Sequence, residues 1–122
     1  NVMCYPTDPN AGEEFFIRNF GLSIYRLALV LIDPAYEEKM TAAYTSALQE
    51  GLWENTLAAQ SLEDYFAEGL QTWFDANRQA SPADGMHNEI NTQTELEAYD
   101  PALYALLDQF FKREHLLQTC NR

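Results

Sequence analysis

Phe16, Phe20, Ile24, Leu27 and Leu31 recur at spacings of four, four, three and four within the run GEEFFIRNFGLSIYRLALVLI. A repeat near 3.6 residues is the signature of an amphipathic α-helix, and it commits the first third of the chain to one. The spacing predicts a helix from Glu13 to Ile32 with those five side chains as its core-facing stripe. Two residues sit awkwardly in that reading: Gly21 lies in mid-helix, and Arg18 falls among aromatic and aliphatic neighbours. Glu13 and Glu14 suit the positive N-terminal end of the helix, and Glu14 is spaced to pair with Arg18 at i,i+4.

The remainder repeats the helical theme. Asp33-Pro34 ends the first helix and opens a second, because Asp caps helices well and Pro is preorganised for the first helical position. This second helix runs to about Glu50, burying Tyr36, Met40, Ala43 or Tyr44, and Ala47 or Leu48, and stops at Gly51. The linker GLWENTLAAQ carries Trp53, read as a packed anchor. Ser61-x-x-Asp64 is a capping-box pattern that starts a third helix, extending to about Asn77 with Leu62, Tyr65 or Phe66, Leu70 and Trp73 on its inner face. Residues 77 to 91 are a loop by composition, long enough to be functional. A short helix at Thr94 to Ala98 follows. A last helix starts at the Asp100-Pro101 pair and ends near Glu114, with Leu103, Leu106, Leu107 and Phe110 facing inward. No alternating β-branched run is present, so the chain is predicted to be all-α, one compact domain of four or five helices spanning 1 to 122.

Composition narrows the function classes. A formal net charge of -12, from 19 acidic and 7 basic residues, opposes attraction to nucleic acid or anionic membranes. No uninterrupted apolar run approaches the roughly 20 residues of a membrane span. The start at Asn1, with no charged-then-apolar leader, is read as a processed mature chain or a fragment of a longer precursor. Cys4 and Cys120, near opposite ends, are read as a disulfide worth up to about 4 to 5 kcal/mol, the alternative being two unrelated thiols. A bridge implies secretion into an extracellular setting.

Candidate chemistry is sparse. His87 in the long loop and His115 near the C-terminus have no second histidine or cysteine at metal-ligand spacing, and their ordinary role is at a surface or a cap. There is no Gly-x-Ser-x-Gly elbow and no phosphate-cradling glycine loop. Glu68 falls off the apolar stripe of the third helix on a helical wheel, which places it toward solvent.

The stretches NVMCYPTDPNAGEEFFIRNFGLSIY, AAYTSALQEGLW, EDYFAEGLQTWFDANR and DGMHNEINTQTELEAYDPALYALL together change that picture. They resemble a family of secreted zincin-like metallopeptidase-related domains of fungi, plants and animals, over nearly the whole chain. In such domains Asn-x-x-Cys-Tyr and Gly-Glu precede a His-Glu-Phe-x-His helix, and a later helix with Tyr/Trp-x-Ala-Glu supplies a zinc carboxylate. The mechanics of His-Glu-x-x-His are two imidazoles on one helical face with a Glu as general base. Setting RNFGL on that motif puts Arg18 and Leu22 at the histidine positions and Asn19 at the general base, with Phe20 retained. Arg18 has no accepting lone pair, Leu22 has no donor atom and Asn19 takes no proton from water.

Glu68 matches the surviving carboxylate position. The resemblance implies that Arg18 stands where the metal stood and pairs with Glu68, the alternative being a surface pair with Glu14. It further implies a secreted pseudoenzyme, without cofactor or catalytic residue and with a structural, storage, matrix or ligand-binding role. Its partners would be a second copy of itself, a protein or a small apolar ligand. The competing expectation is a zinc-dependent peptidase or hydrolase that uses Glu68 with His87 or His115, or ligands from a partner chain.

Overall fold

A computed structural model describes residues 5–112. Among them the fold is all-α, with five helices and no strand. Helix α1 spans Phe15–Ile32, α2 Ala35–Gln49, α3 Leu62–Trp73, α4 Gln93–Tyr99 and α5 Pro101–Asp108, with a 3-10 turn at Leu57–Ala59. The other helices surround α3, in which every residue from Tyr65 to Trp73 is buried. A helix buried on all sides needs close neighbours, and two glycines provide them. A Cβ at Gly21 of α1 would fall 2.1 Å from Leu70 Cδ2, and one at Gly69 would fall 2.5 Å from Leu103 Cδ2. Both positions therefore let a neighbouring helix lean directly on backbone.

Local signals set most of the boundaries. Ser61 Oγ accepts the Asp64 amide of α3, and Thr92 and Glu95 form a reciprocal capping box on α4. Asp100 accepts the Leu103 amide, with Pro101 in the first turn of α5. Helix α2 ends in a Schellman motif: Gly51 has φ +76°, its amide reaches Leu48 O, and Leu52 N reaches Ala47 O. Helix α3 ends the same way, with Asp75 at φ +53° and bonds from Asp75 N to Thr72 O and Ala76 N to Gln71 O. That stop lies at Trp73, short of the expected Asn77, because an aspartate takes the left-handed position usually marked by glycine. Asp33 Oδ1 accepts from Ala35 N while Pro34 occupies the cap position of α2.

The core is aromatic. Trp53, Tyr65, Tyr36, Phe66 and Trp73 are fully buried, and Trp53 Nε1 and Tyr65 OH both donate to Asp100 Oδ2, at 2.9 and 2.8 Å. On α2 the buried set is Tyr36, Met40, Ala43 and Ala47. Leu48 is exposed, and Tyr44, half-buried, donates to Ala59 O.

Helix α1 departs from expectation in two ways. Its centre is a π-helical turn, Tyr25–Leu29, which the spacing did not indicate. Its predicted inner stripe also faces out: Phe16, Phe20, Leu27 and Leu31 are between 55% and 76% exposed, and Ile24 is half-buried. The face that packs on α3 carries Arg18, Gly21, Tyr25 and Leu29. An apolar period locates a stripe, but where a helix is apolar on two sides it does not say which side meets the core. Phe110, expected inside, is likewise exposed, and α5 ends at Asp108. Cys4, His115 and Cys120 lie outside the described residues.

Candidate functional site

Arg18 reaches the interior because the inner face of α1 has Gly21 one turn on, which brings the backbone of α1 against α3. Its side chain ends among α3 carboxylates. Nη1 donates to Glu68 Oε1 at 2.8 Å and reaches Gln71 Oε1 at 3.5 Å, and Nη2 donates to Asp64 Oδ1. The Arg18–Glu68 pairing expected from the sequence is therefore formed. Glu68 is 1% exposed, which corrects its placement toward solvent: α3 has no solvent face at that level for a wheel to point to.

The cluster extends beyond the pair. Glu68 Oε2 accepts from Asn77 Nδ2 at 2.8 Å and lies 3.4 Å from His87 Nδ1. The other ring nitrogen, Nε2, lies 3.3 Å from Glu13 Oε2. Gln71 Nε2 donates to Glu13 Oε1 and to the Glu14 carbonyl, each at 3.4 Å. The loop is held close by Asp84 Oδ1, which accepts the His87 and Met86 amides and is kept below the usual carboxylate range by those bonds.

Carboxylates on both ring nitrogens require an imidazolium, since a neutral ring would turn a lone pair toward one of them. Burial pulls the His87 pKa down, but hydrogen bonds and charge from Glu13 and Glu68 outweigh it and raise the value to about 9. Burial pushes the Glu13 carboxyl up, yet the hydrogen bond and charge of His87, with help from Gln71 and Arg18, hold it below its ordinary value. Arg18 and His87 together thus face Glu13, Glu68 and Asp64. One permanent cation, Arg18, and one titratable cation, His87, balance most of three anions in a nearly dry setting.

Chemically, this arrangement fastens rather than reacts. Glu68 has one oxygen on Arg18 and the other on Asn77 and His87, so neither is free to coordinate. A metal at His87 Nδ1 would meet only Glu68, and one at Nε2 only Glu13, because the two carboxylates sit at opposite ring nitrogens. Among the described residues no group of three His, Cys, Asp or Glu side chains is placed to hold a metal ion. The residues do not fit zinc. Asn19, which the resemblance sets at a general-base position, is exposed on the outer side of α1, and Leu22 is half-buried.

The sequence pointed to Arg18 and Glu68, and to His87 beside Glu68 only in the competing hydrolase expectation; it did not point to Glu13, Asp64, Gln71 and Asn77 as members of the cluster. Asp64, Glu68 and Gln71 stand at i, i+4 and i+7 on α3, a spacing that sets them on one face, whereas only the chain fold brings Glu13, Asn77 and His87 to them. Elsewhere, an open depression of about 70 Å³ between α2 and α5 is lined by Ala43, Ala47, Glu50, Leu52 and Asp100. The Asp100 carboxylate there is already satisfied by Trp53, Tyr65 and Leu103.

No protein-family model, curated sequence or solved structure matches the chain.

Proposed function

We propose that this chain is a non-catalytic, secreted domain built on a zincin-like scaffold, with a structural, storage, matrix or ligand-binding role. The observation that carries this reading is the guanidinium of Arg18 on Glu68, two residues that correspond to a metal-binding histidine and a metal-binding carboxylate in the domains it resembles. A monovalent cation held by a covalent stem neutralises the carboxylate without offering water a Lewis acid. One form of the hydrolase reading needs Glu68 and His87 close together, and they are. The Glu68 lone pairs, however, are turned to Arg18, Asn77 and His87, and an imidazolium at His87, between Glu68 and Glu13, has none to offer a metal.

Zinc titration followed by calorimetry and metal analysis tests the proposal. The wild-type chain is expected to retain far less than one equivalent after dialysis, and Arg18→His combined with Leu22→His is expected to raise retention, since it returns two imidazoles at i,i+4. One equivalent of zinc in the wild type, lost in Glu68→Gln and His87→Gln, would overturn it in favour of the hydrolase.

A further inference from the structure

Helix α1 is apolar on two sides, and only one of them is used inside the domain. Phe16, Phe20, Leu27, Leu31 and Ile32 are each more than half exposed, and the Phe16 and Phe20 rings stack on one another at 5.5 Å with their planes 7° apart. We propose that this outer face of α1 is the surface through which two copies of the chain pair, α1 against α1.

Three observations select a second copy over other occupants. The first is charge. From Phe15 to Ile32 there is no Asp or Glu, Arg18 is turned inward, and the exposed Arg26 is neutralised by Glu63, whose oxygens accept its Nε and Nη2. Pairing two copies at this face therefore buries no carboxylate of α1, although the net charge of -12 on each chain opposes long-range approach, to a second copy as to anionic lipid.

The second is area. At roughly 200 Å² per large side chain, the five leave about 600 Å² open, so two copies would bury about 1,200 Å², at the lower bound for a specific interface. The third is geometry. Helix α1 is long and apolar enough to cross a membrane by length and composition, but it is tied to α3 through Arg18 and Gly21, and leaving the domain would strand Glu68. Antiparallel pairing across a two-fold axis sets Phe16 and Phe20 of one copy against Leu27 and Leu31 of the other, the self-complementary arrangement that a symmetric interface requires.

Sedimentation velocity on the full chain, from about 1 μM to several hundred μM, tests this. A reversible dimer is expected, with Phe20→Ser plus Leu27→Ser raising its dissociation constant at least about tenfold. Leu48→Ser, an exposed apolar site on α2, is expected to leave it unchanged. Unaltered circular dichroism and melting temperature establish that the variants still fold. A chain that stays monomeric throughout, because residues 113–122 or nothing at all cover the face, overturns the proposal. So does a dimer indifferent to the double substitution. Binding to phosphatidylcholine vesicles that the double variant abolishes, with the wild type monomeric, overturns it in favour of a lipid surface.

Discussion

Arg18 and Glu68 are 50 positions apart in the chain and joined by a 2.8 Å hydrogen-bonded ion pair, one partner on α1 and the other on α3. A pair so far from water stabilises little relative to a well-packed apolar substitute, yet removing one member leaves the other uncompensated. Arg18→Met is accordingly expected to destabilise the domain by about 3 to 5 kcal/mol, read as a lowered urea midpoint. Adding Glu68→Gln to that variant is expected to recover part of the loss. A double variant as unstable as the sum of the two singles would show that the residues do not act together.

The imidazolium between Glu13 and Glu68 makes stability pH-dependent. His87 has a folded pKa of about 9 against an ordinary 6.5, so its contribution is complete below pH 6.5 and is lost as pH rises through 9. The span amounts to at most about 3 kcal/mol. Glu13, held low, acts in the opposite sense: its contribution is present above its ordinary value of 4.5 and is lost on acidification. Urea unfolding at intervals between pH 6 and 10 is expected to show a falling limb that His87→Gln flattens. A limb of equal slope in that variant would assign the titration to another group.

Helix propensity alone says that Gly→Ala in a helix interior stabilises by about 1 kcal/mol. At Gly21 and Gly69 the opposite sign is expected, because the added methyl meets Leu70 or Leu103. Gly21→Ala presses on one terminal methyl, 2.1 Å away, whereas Gly69→Ala meets three atoms of Leu103 within 3.2 Å. Thermal melts are therefore expected to rank Gly69→Ala below Gly21→Ala and both below wild type, by about 1 to 3 kcal/mol.

Asp100 joins three elements, taking the Trp53 indole, the Tyr65 hydroxyl and the Leu103 amide. Asp100→Ala leaves buried donors without acceptors and is expected to cost about 2 to 4 kcal/mol, with loss of near-ultraviolet dichroism from Trp53. Asp100→Asn keeps one carbonyl oxygen and is expected to fall between the two. An Asp100→Ala protein with an unchanged melting temperature would deny this residue a structural role.

Much of the architecture was legible because its signals are local. The Ser61 cap, the Asp100-Pro101 start, the Gly51 stop and the buried periodicity of Tyr36, Met40, Ala43 and Ala47 each act within a turn or two of the chain. The orientation of α1 was not legible, because Phe16, Phe20, Leu27 and Leu31 form as good a stripe as the side that packs inward. What decided it was Gly21, whose missing side chain admits α3, together with an arginine long enough to carry its charge to Glu68. The stop at Asp75 was hidden because only its backbone angle marks it. The polar cluster was half legible: Arg18 and Glu68 were found through a motif, Asp64 and Gln71 lie on α3 at helical spacing from Glu68, and Asn77 and His87 depend on a loop whose path no pattern specifies.

The π turn at Tyr25–Leu29 bears on what lengths of chain this architecture tolerates. In an ordinary α-helix each step of four residues overshoots a full turn by about 40°, so Gly21, Tyr25 and Leu29 would drift off the seam with α3. A wider turn absorbs the drift and keeps Tyr25 and Leu29 in line. The turn holds about one residue more than an α-turn without breaking the rod, and trimming one residue from it would rotate everything downstream, Asp33-Pro34 included. Among natural variants of this chain, length changes should therefore collect in the 77–91 loop and be absent from α1.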